Sequence, residues 1–385
     1  MAMLDDLRSS RGPAAAFAAM AFFWGGFAAL VPALKAQAGL SDGAFGLAHL
    51  LATIGAVGAL MAAPWVSRRI GPLALPGTVL ATALIMASQG LAQGAVSYTA
   101  WLFSGCVAMG LMDVLMNARV SRIEAETGRT LMNLNHAVYS LLYAAVAVAA
   151  GLARGAGASP GAIFAGLGLG VLALAVLSTR GPERPAAPAE GDGDAAGLSW
   201  LMLAPAGAIV CLAFLGEQAT EGWSALHLER AQGVGAAASA IGPALLGLTM
   251  GIGRLGGQVA TQRFSNRAVI RAASSLAAAG ALVAAWAPSL AIAYLGFAAL
   301  GLGLSTIVPT TFAWVGKRLP GHLREAAIAR LSMVGYSGFF LGPPLMGFVA
   351  EGAGLVASFT LVAALLVAIP AILLPVLQRR QAGPA

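Results

Sequence analysis

Twelve long apolar stretches follow one another along the chain, separated by short polar segments. Each stretch is close to the roughly 20 residues that a helix needs to cross the hydrocarbon core of a bilayer. The runs are continuous rather than alternating, so they predict membrane-spanning helices and not the strands of a barrel. The predicted spans are 14–34, 43–65, 72–92, 96–117, 135–153, 159–179, 200–222, 235–257, 268–287, 289–313, 327–350 and 353–377.

Composition excludes a soluble protein. Hydrophobic residues make up 59% of the chain and charged residues 10%, whereas soluble domains carry about 25% charged residues. The net charge of +7 is spread over many short loops, which argues against a nucleic-acid-binding patch. There is no Gly-x-x-x-x-Gly-Lys-Ser/Thr loop, no Gly-x-Ser-x-Gly elbow and no Cys/His cluster. We therefore expect no enzyme activity, no cofactor, no bound metal and no nucleic-acid partner.

The basic residues predict the orientation in the membrane. With the N-terminus in the cytoplasm, 19 Lys and Arg residues, Arg254 among them, fall on the cytoplasmic side. Only Lys35, Arg154 and Arg230 fall outside. Because cytoplasmic loops carry an excess of Lys and Arg, both termini are predicted to be cytoplasmic, in a bacterial inner membrane.

The chain repeats itself. A polar segment at 180–199 reads as a flexible cytoplasmic linker between an N-terminal half, 1–179, and a C-terminal half, 200–385. Similar segments recur in the same order with offsets near 194 residues. The matched pairs of segments are 68–71 and 262–265, 110–113 and 303–306, and 139–140 and 336–337.

Two parallel six-helix halves joined by a polar linker resemble the major facilitator superfamily over nearly the whole chain. The resemblance implies an all-α membrane fold of twelve helices in two pseudo-repeats, which moves a solute by alternating access. The loop signature Gly-x-x-x-Asp-Arg-x-Gly-Arg-Arg survives in part, because Arg69 and Gly71 keep two positions while Arg68 replaces the Asp. The basic residue and the Gly-Pro motif of drug antiporters are missing, which argues against drug efflux.

A narrower resemblance is to a bacterial subgroup of YbjJ-like transporters. It implies a transporter without implying a known substrate, and Gly222 departs from the pattern where the subgroup has Asp. The shared residues include Asp113, Met116, Asn117, Glu124, Gly128, Arg129, Met132, His136, Tyr139, Ser140, Glu217, Trp223 and Ser224.

Ionisable residues inside the spans are costly, so they are candidates for function. Glu217 and Glu221 share one face of the seventh helix, and with Asp113 they are candidates for proton coupling. Glu217 is also a candidate for binding a cationic or hydroxylated substrate. A solvated helix end or an outer-gate hydrogen bond is the alternative for the two glutamates.

A second group of polar residues is predicted near the cytoplasmic ends of the helices. Asp113 is expected near the end of the fourth helix, one turn before Asn117, and His136 begins the fifth helix. With Arg69 and Arg263 they form a candidate cytoplasmic gate network, whose groups pair in one state and separate in another. A static structural pair is the alternative for Asp113.

Aromatic residues in mid-span are candidates for stacking on a flat or sugar-like substrate. We select Trp24, Tyr139 and Tyr336, together with His49, which is also explained by packing. His227 and His322 are expected in solvated loops.

The sequence therefore predicts a monomeric secondary transporter of a small organic solute, in contact with the lipid bilayer. The carboxylates within the spans favour proton coupling, and the lost antiporter motifs favour uptake. An efflux transporter, a copper or metal importer that uses Met112 and Met116, and a non-transporting receptor of the same fold stay open.

Overall fold

The computed structural model describes residues 2–179 and 200–381, and these residues are almost entirely helical. The predicted linker at 180–199 lies outside the described residues. The helices are α1 (Ala2–Ser9), α2 (Arg11–Ala38), α3 (Asp42–Ile70), α4 (Ala74–Ala87), α5 (Ala95–Thr127), α6 (Met132–Gly155), α7 (Pro160–Ser178), α8 (Trp200–Gln232), α9 (Ala236–Ser239), α10 (Ile241–Arg263), α11 (Asn266–Ala285), α12 (Leu290–Gly316), α13 (Gly321–Ala368) and α14 (Leu374–Gln381).

Within the described residues, 10 helical segments are long and apolar enough to cross a membrane. This confirms the prediction of an all-α membrane protein. Two of the segments are 50 and 54 residues long, about twice what one crossing needs. The first is interrupted by a 3₁₀ turn at Gly71–Leu73, and the second bends at Gly354, whose φ is 82°.

The chain divides into two compact units. The first consists of Met1–Ala187 with Val234–Ala244, and the second of Pro188–Gly233 with Leu245–Ala385. The short helix α9 therefore belongs to the first unit, where it packs on α6. A side chain at Gly151 of α6 would overlap Ala240 just after α9, so the absence of a side chain allows this contact.

In the first unit, α2 is the central helix, buried along most of its length against α5, α6 and α7. Aromatic side chains fill the space beside it. Phe23 packs against Trp101 and Phe164, and Phe45 stacks on Tyr98. Aromatic pairs of this kind add about 0.5–1.5 kcal/mol each beyond the area they bury.

Small residues allow close helix crossings in the second unit, as expected where packing rather than hydrophobicity joins helices. Helices α8 and α13 meet where Gly338 faces the carbonyl oxygen of Cys211. Helices α11 and α12 meet at Gly280 and Gly296, each of which faces backbone of the other helix. A β-carbon at any of these glycines would overlap the facing helix.

A substitution at the α8–α13 crossing should therefore be destabilising. We expect Gly338→Ala to lower the stability of the second unit by about 1–3 kcal/mol, because the added methyl group overpacks a backbone contact. The measurement is thermal unfolding of the purified protein in detergent. Gly352→Ala in the same helix is the matched control, because nothing lies within 4 Å of the added carbon. Equal melting of both variants would contradict the prediction.

The two units share one local feature in equivalent places. The Gln37 side chain donates from Nε2 to the carbonyl oxygen of Ala92 at 2.9 Å. The Gln232 side chain donates in the same way to Ala287 at 2.8 Å. Both members of the second pair lie 195 positions after those of the first. This spacing falls within the offsets of the sequence matches.

A buried ion pair closes the turn between α2 and α3. Gly39, with a φ of 62°, ends α2, and Ser41 caps α3 by accepting a hydrogen bond from Ala44. Across this turn, the Lys35 ammonium lies 3.0 Å from the Asp42 carboxylate, and their side chains are only 11% and 10% exposed. The pair therefore compensates two charges that water barely reaches.

Candidate functional site

An ion pair within the second unit lies midway along two long helices. The Arg254 guanidinium of α10 lies 3.8 Å from the Glu217 carboxylate of α8. Glu217 is about 26 Å along α8 from its first residue, and Arg254 is about 14 Å before the last residue of α10. Neither group is at a helix end.

Arg254 was counted among the cytoplasmic charges and was not selected as a site residue, whereas the structure pairs it with Glu217. Arg254 lies inside the predicted span 235–257. The sequence therefore already indicated a positive charge within a span. In the structure the two side chains keep 24% (Glu217) and 37% (Arg254) of their surface exposed. Charged groups at membrane depth face water-filled space or protein rather than lipid, so this pair marks a polar surface on the second unit.

An aromatic stack adjoins this pair on α8. Phe214 lies one turn before Glu217 and stacks on Tyr336 of α13, with ring centroids 5.8 Å apart and planes 9° apart. Phe339 also stacks on Phe214, with ring centroids 4.5 Å apart. Glu221 lies one turn after Glu217 and is partly buried. The structure thus brings the predicted residues Glu217, Glu221 and Tyr336 to neighbouring helices.

Phe214 and Arg254 complete this cluster, and the sequence analysis selected neither. A single Phe inside an apolar run carries no sequence signal that separates it from packing residues. We call Phe214, Glu217, Arg254, Tyr336 and Phe339 the α8 cluster.

In the first unit, Trp24 and Tyr139 pack together around one buried cluster. Ala21, Ala28 and Tyr143 form its centre. Trp24 is near the middle of α2, and Tyr139 is in the N-terminal half of α6. Tyr139 and Tyr336 are matched in the sequence repeat, and in each unit the tyrosine packs against the first long helix.

His49 lies in an aromatic pocket of the first unit. Its ring packs against Phe27 and Phe45, with centroids at 5.4 and 4.3 Å. Nδ1 is 2.8 Å from the carbonyl oxygen of Phe45. Nε2 has no hydrogen-bond partner within the described part of the chain. This position is buried, which agrees with the packing alternative as well as with a role in binding.

His227 is buried in the second unit, and the expectation of a solvated loop was wrong. Helix α8 continues to Gln232, ten residues beyond the predicted span. The His227 ring packs against Phe359, with centroids 5.0 Å apart. Its Nε2 lies 3.1 Å from the carbonyl oxygen of Ala284. His322, the other histidine assigned to a loop, has no described side chain.

Asp113 and Asn117 are paired on one helix, as predicted from their spacing. Asn117 donates from Nδ2 to the Asp113 carboxylate at 2.9 Å and to its carbonyl oxygen at 2.8 Å. Helix α5 runs on to Thr127, so Asp113 lies about 21 Å before its end. Its predicted place near the helix end was therefore wrong.

The other members of the predicted gate network are dispersed among helix ends. His136 is in the first turns of α6, where its ring meets Phe17 at 4.9 Å. Arg69 is exposed at the end of α3. Arg263 ends α10, which belongs to the second unit from Leu245 onward.

The described residues contain no group of three or more His, Cys, Asp or Glu side chains able to hold a metal ion. The polar groups of the α8 cluster are the Glu217 carboxylate, the Arg254 guanidinium and the Tyr336 phenol, which lie beside aromatic rings. Such a set can form hydrogen bonds to hydroxyl or amino groups of an organic solute while stacking on its ring.

Comparison with known proteins shows which family the chain resembles. The model of the Major Facilitator Superfamily matches residues 206–385, and an uncharacterized MFS-type transporter of Yersinia pestis is 29% identical over 91% of this chain and 93% of its own length. By these matches the chain is similar to transporters of the major facilitator superfamily. It is a multi-pass membrane transporter rather than an enzyme.

Solved transporter structures share the fold of this chain. The nucleoside transporter NupG matches with a TM-score of 0.75 at 14% identity, covering 100% of both chains. The xylose transporter XylE from E. coli matches with a TM-score of 0.70 at 12% identity, covering 94% of both chains. At these identities the likeness concerns the fold alone.

Proposed function

We propose that this protein is a secondary active transporter that takes up a small organic solute by alternating access, driven by a proton gradient. The observation that carries the proposal is the Glu217–Arg254 pair, midway along its helices and beside an aromatic stack. A carboxylate or guanidinium at the centre of a bilayer costs about 2.5–3.5 kcal/mol on insertion scales. A role in the transport cycle would explain why two such charged groups, Glu217 and Arg254, lie midway along their helices.

The pair offers a simple means of coupling. Arg254 compensates the Glu217 charge at 3.8 Å, too long for a tight hydrogen bond. A proton or a hydroxyl-bearing solute therefore competes with Arg254 for the same carboxylate. Glu221 and Asp113 are further candidates for carrying the proton. Because Arg254 already neutralises the Glu217 carboxylate, a bound proton and a bound solute would each disturb the same ion pair. Binding of the proton and binding of the solute are therefore linked.

The substrate class follows from the aromatic faces. Phe214, Tyr336 and Phe339 present stacked rings next to a carboxylate, which suits a planar or sugar ring that carries hydroxyl groups. Trp24 and Tyr139 supply the equivalent aromatic surface in the first unit, and His49 is the remaining candidate there. Nucleosides and pentoses are therefore the first solutes to test.

We further propose a topology of twelve crossings in two six-helix halves, 1–179 and 200–385, joined by a cytoplasmic linker at 180–199. The two double-length segments, one interrupted by the 3₁₀ turn at Gly71–Leu73 and the other by the bend at Gly354, support counting twelve rather than ten. Both termini then lie in the cytoplasm of a bacterium, the protein is a monomer, and the YbjJ-like subgroup is its proposed place in the superfamily.

The cytoplasmic gate is proposed to involve Asp113, Asn117, His136, Arg69 and Arg263. The Asp113–Asn117 hydrogen bond supports a polar contact that can change partners. Arg69, at the end of α3 in the same unit as Asp113, supplies an opposite charge. In this interpretation, the carboxylate exchanges an amide partner for a guanidinium during the cycle.

The function is tested by flux into proteoliposomes that contain the purified protein. We expect a radiolabelled nucleoside or pentose to accumulate when the outside is made acidic, and accumulation to stop when an ionophore removes the proton gradient. Solute exchange without accumulation would contradict proton coupling. Saturable binding without any flux, across a panel of nucleosides, sugars, vitamins, amino acids, lipophilic cations and Cu(I), would identify a receptor instead of a transporter.

A further inference from the structure

A cavity of about 560 Å³ lies within the second unit, away from the α8 cluster. It opens where α11 begins, α12 ends and α14 passes. Its size is within the range of about 300–1,000 Å³ that is usual for small-molecule sites. The side chains that define its chemistry are Arg267, Lys317, Arg318, Asn266, Gln378 and Trp314.

The lining is strongly cationic. Three of its side chains, Arg267, Lys317 and Arg318, are positively charged, and the described residues that line the cavity include no carboxylate. Among the residues that the structure describes, none of the three forms an ion pair with an acidic group. Guanidinium and ammonium groups that lack a carboxylate partner bind phosphate and similar anions by charge-assisted hydrogen bonds.

Neutral donors add to this charge. Helix α11 starts at Asn266 after the capping residue Ser265, and both residues line the cavity, so the cavity adjoins the positive end of this helix. The Gln378 amide nitrogen is buried and has no hydrogen-bond partner in the described structure. A buried amide donor that lines a cationic cavity is satisfied when an anion enters.

The position of the cavity along the helices matches the depth expected for lipid headgroups. It adjoins the ends of two candidate spans, Asn266–Ala285 and Leu290–Gly316. Trp314, in the last turn of α12, is buried in the protein and lines the cavity. The Arg318 guanidinium lies over the Trp314 ring, 5.0 Å from its centre, which holds this charge next to an apolar surface.

We infer that this cavity binds a phosphate ester, supplied by the bilayer as the headgroup of an anionic phospholipid. The glycerol and phosphate occupy the cationic cavity, and the acyl chains follow the apolar surface at the end of α12. The inference concerns a site separate from the transport residues and does not depend on the proposed substrate.

The test uses the full-length protein, stripped of lipid in detergent, and measures binding by native mass spectrometry and by thermal shift. The probes are phosphatidylglycerol, zwitterionic phosphatidylcholine and water-soluble glycerol 3-phosphate. We expect phosphatidylglycerol to bind best. Arg267→Gln and Lys317→Gln should each weaken its binding about fivefold, since one basic residue near an anionic surface contributes about 1 kcal/mol.

Arg271→Gln is the matched control, because this exposed residue lies one turn further along α11 and does not line the cavity. Lys317→Arg, which keeps the charge, should bind as the wild type does, and its unfolding midpoint without lipid reports whether the fold is intact. Equal affinity for glycerol 3-phosphate and phosphatidylglycerol would overturn the lipid source while supporting the phosphate site. Binding that falls equally in Arg271→Gln, or in none of the variants, would overturn the site.

Discussion

Replacing Glu217 by Gln is expected to abolish solute accumulation driven by a pH gradient and to leave the protein folded. The amide keeps the size of the side chain, but it neither takes up a proton nor attracts Arg254, whose guanidinium lies 3.8 Å away. A hydrogen bond to a charged group contributes about 1.5–3 kcal/mol, so solute affinity should also fall by roughly 10- to 100-fold. Flux into proteoliposomes and solute binding in detergent measure the two effects separately.

Removing one partner of an ion pair leaves the other charge uncompensated, so a structural explanation must be separated from coupling. The double variant Glu217→Gln with Arg254→Gln removes both charges. A purely structural pair predicts that the double variant recovers accumulation, whereas a coupling role predicts that it stays uncoupled. Glu126→Gln, at an exposed position near the end of α5, controls for the loss of a carboxylate. Proton-driven accumulation at the wild-type rate in Glu217→Gln would exclude the coupling role.

Breaking the ion pair between α2 and α3 is expected to produce the largest loss of stability. Lys35→Met leaves the Asp42 carboxylate, whose side chain is only 10% exposed, without its ammonium partner. Removing one partner of a buried pair costs about 3–5 kcal/mol. The measurement is thermal unfolding of the purified protein in detergent.

A double-mutant cycle isolates the interaction between the two residues. Lys35→Met combined with Asp42→Leu removes both charges and should melt above either single variant, because apolar replacement of a whole buried pair is often neutral. Arg8, which pairs with Asp5 at an exposed position, provides the comparison: Arg8→Met should cost about 1 kcal/mol or less. Single variants at Lys35 that melt like Arg8→Met would show that water reaches the pair.

The helical membrane fold could be predicted from the sequence because hydropathy reports directly on it, but helix ends could not. Helices α5 and α8 both continue ten residues past their predicted spans. They end where glycines adopt positive φ, at Gly128 with 69° and Gly233 with 63°. Hydropathy falls where the chain leaves the lipid, whereas a helix ends where the backbone turns. This difference placed His227 in a loop and Asp113 near a helix end.

The candidate site was predictable only in part, for a related reason. Glu217 and Tyr336 were selected because a charge and a repeated Tyr-Ser pair stand out from an apolar sequence. The partner of Glu217 is 37 positions further along the chain, and no helical periodicity relates residues on different helices. Arg254 was counted as one of the positive charges that predict the orientation in the membrane. Its position inside a predicted span was therefore overlooked. Phe214 is recognised only by the rings stacked against it.

The glutamine bonds have a consequence for biogenesis. Gln37 and Ala92 are both synthesised well before the second unit begins, so their bond can form while the ribosome is still translating the rest of the chain. Gln232 and Ala287 repeat this local order in the later segment. The surface of α6 at Gly151 differs, because it receives α9 only after residues 236–239 emerge. A truncated nascent chain that ends before α9 should therefore present this glycine surface to the membrane insertion machinery.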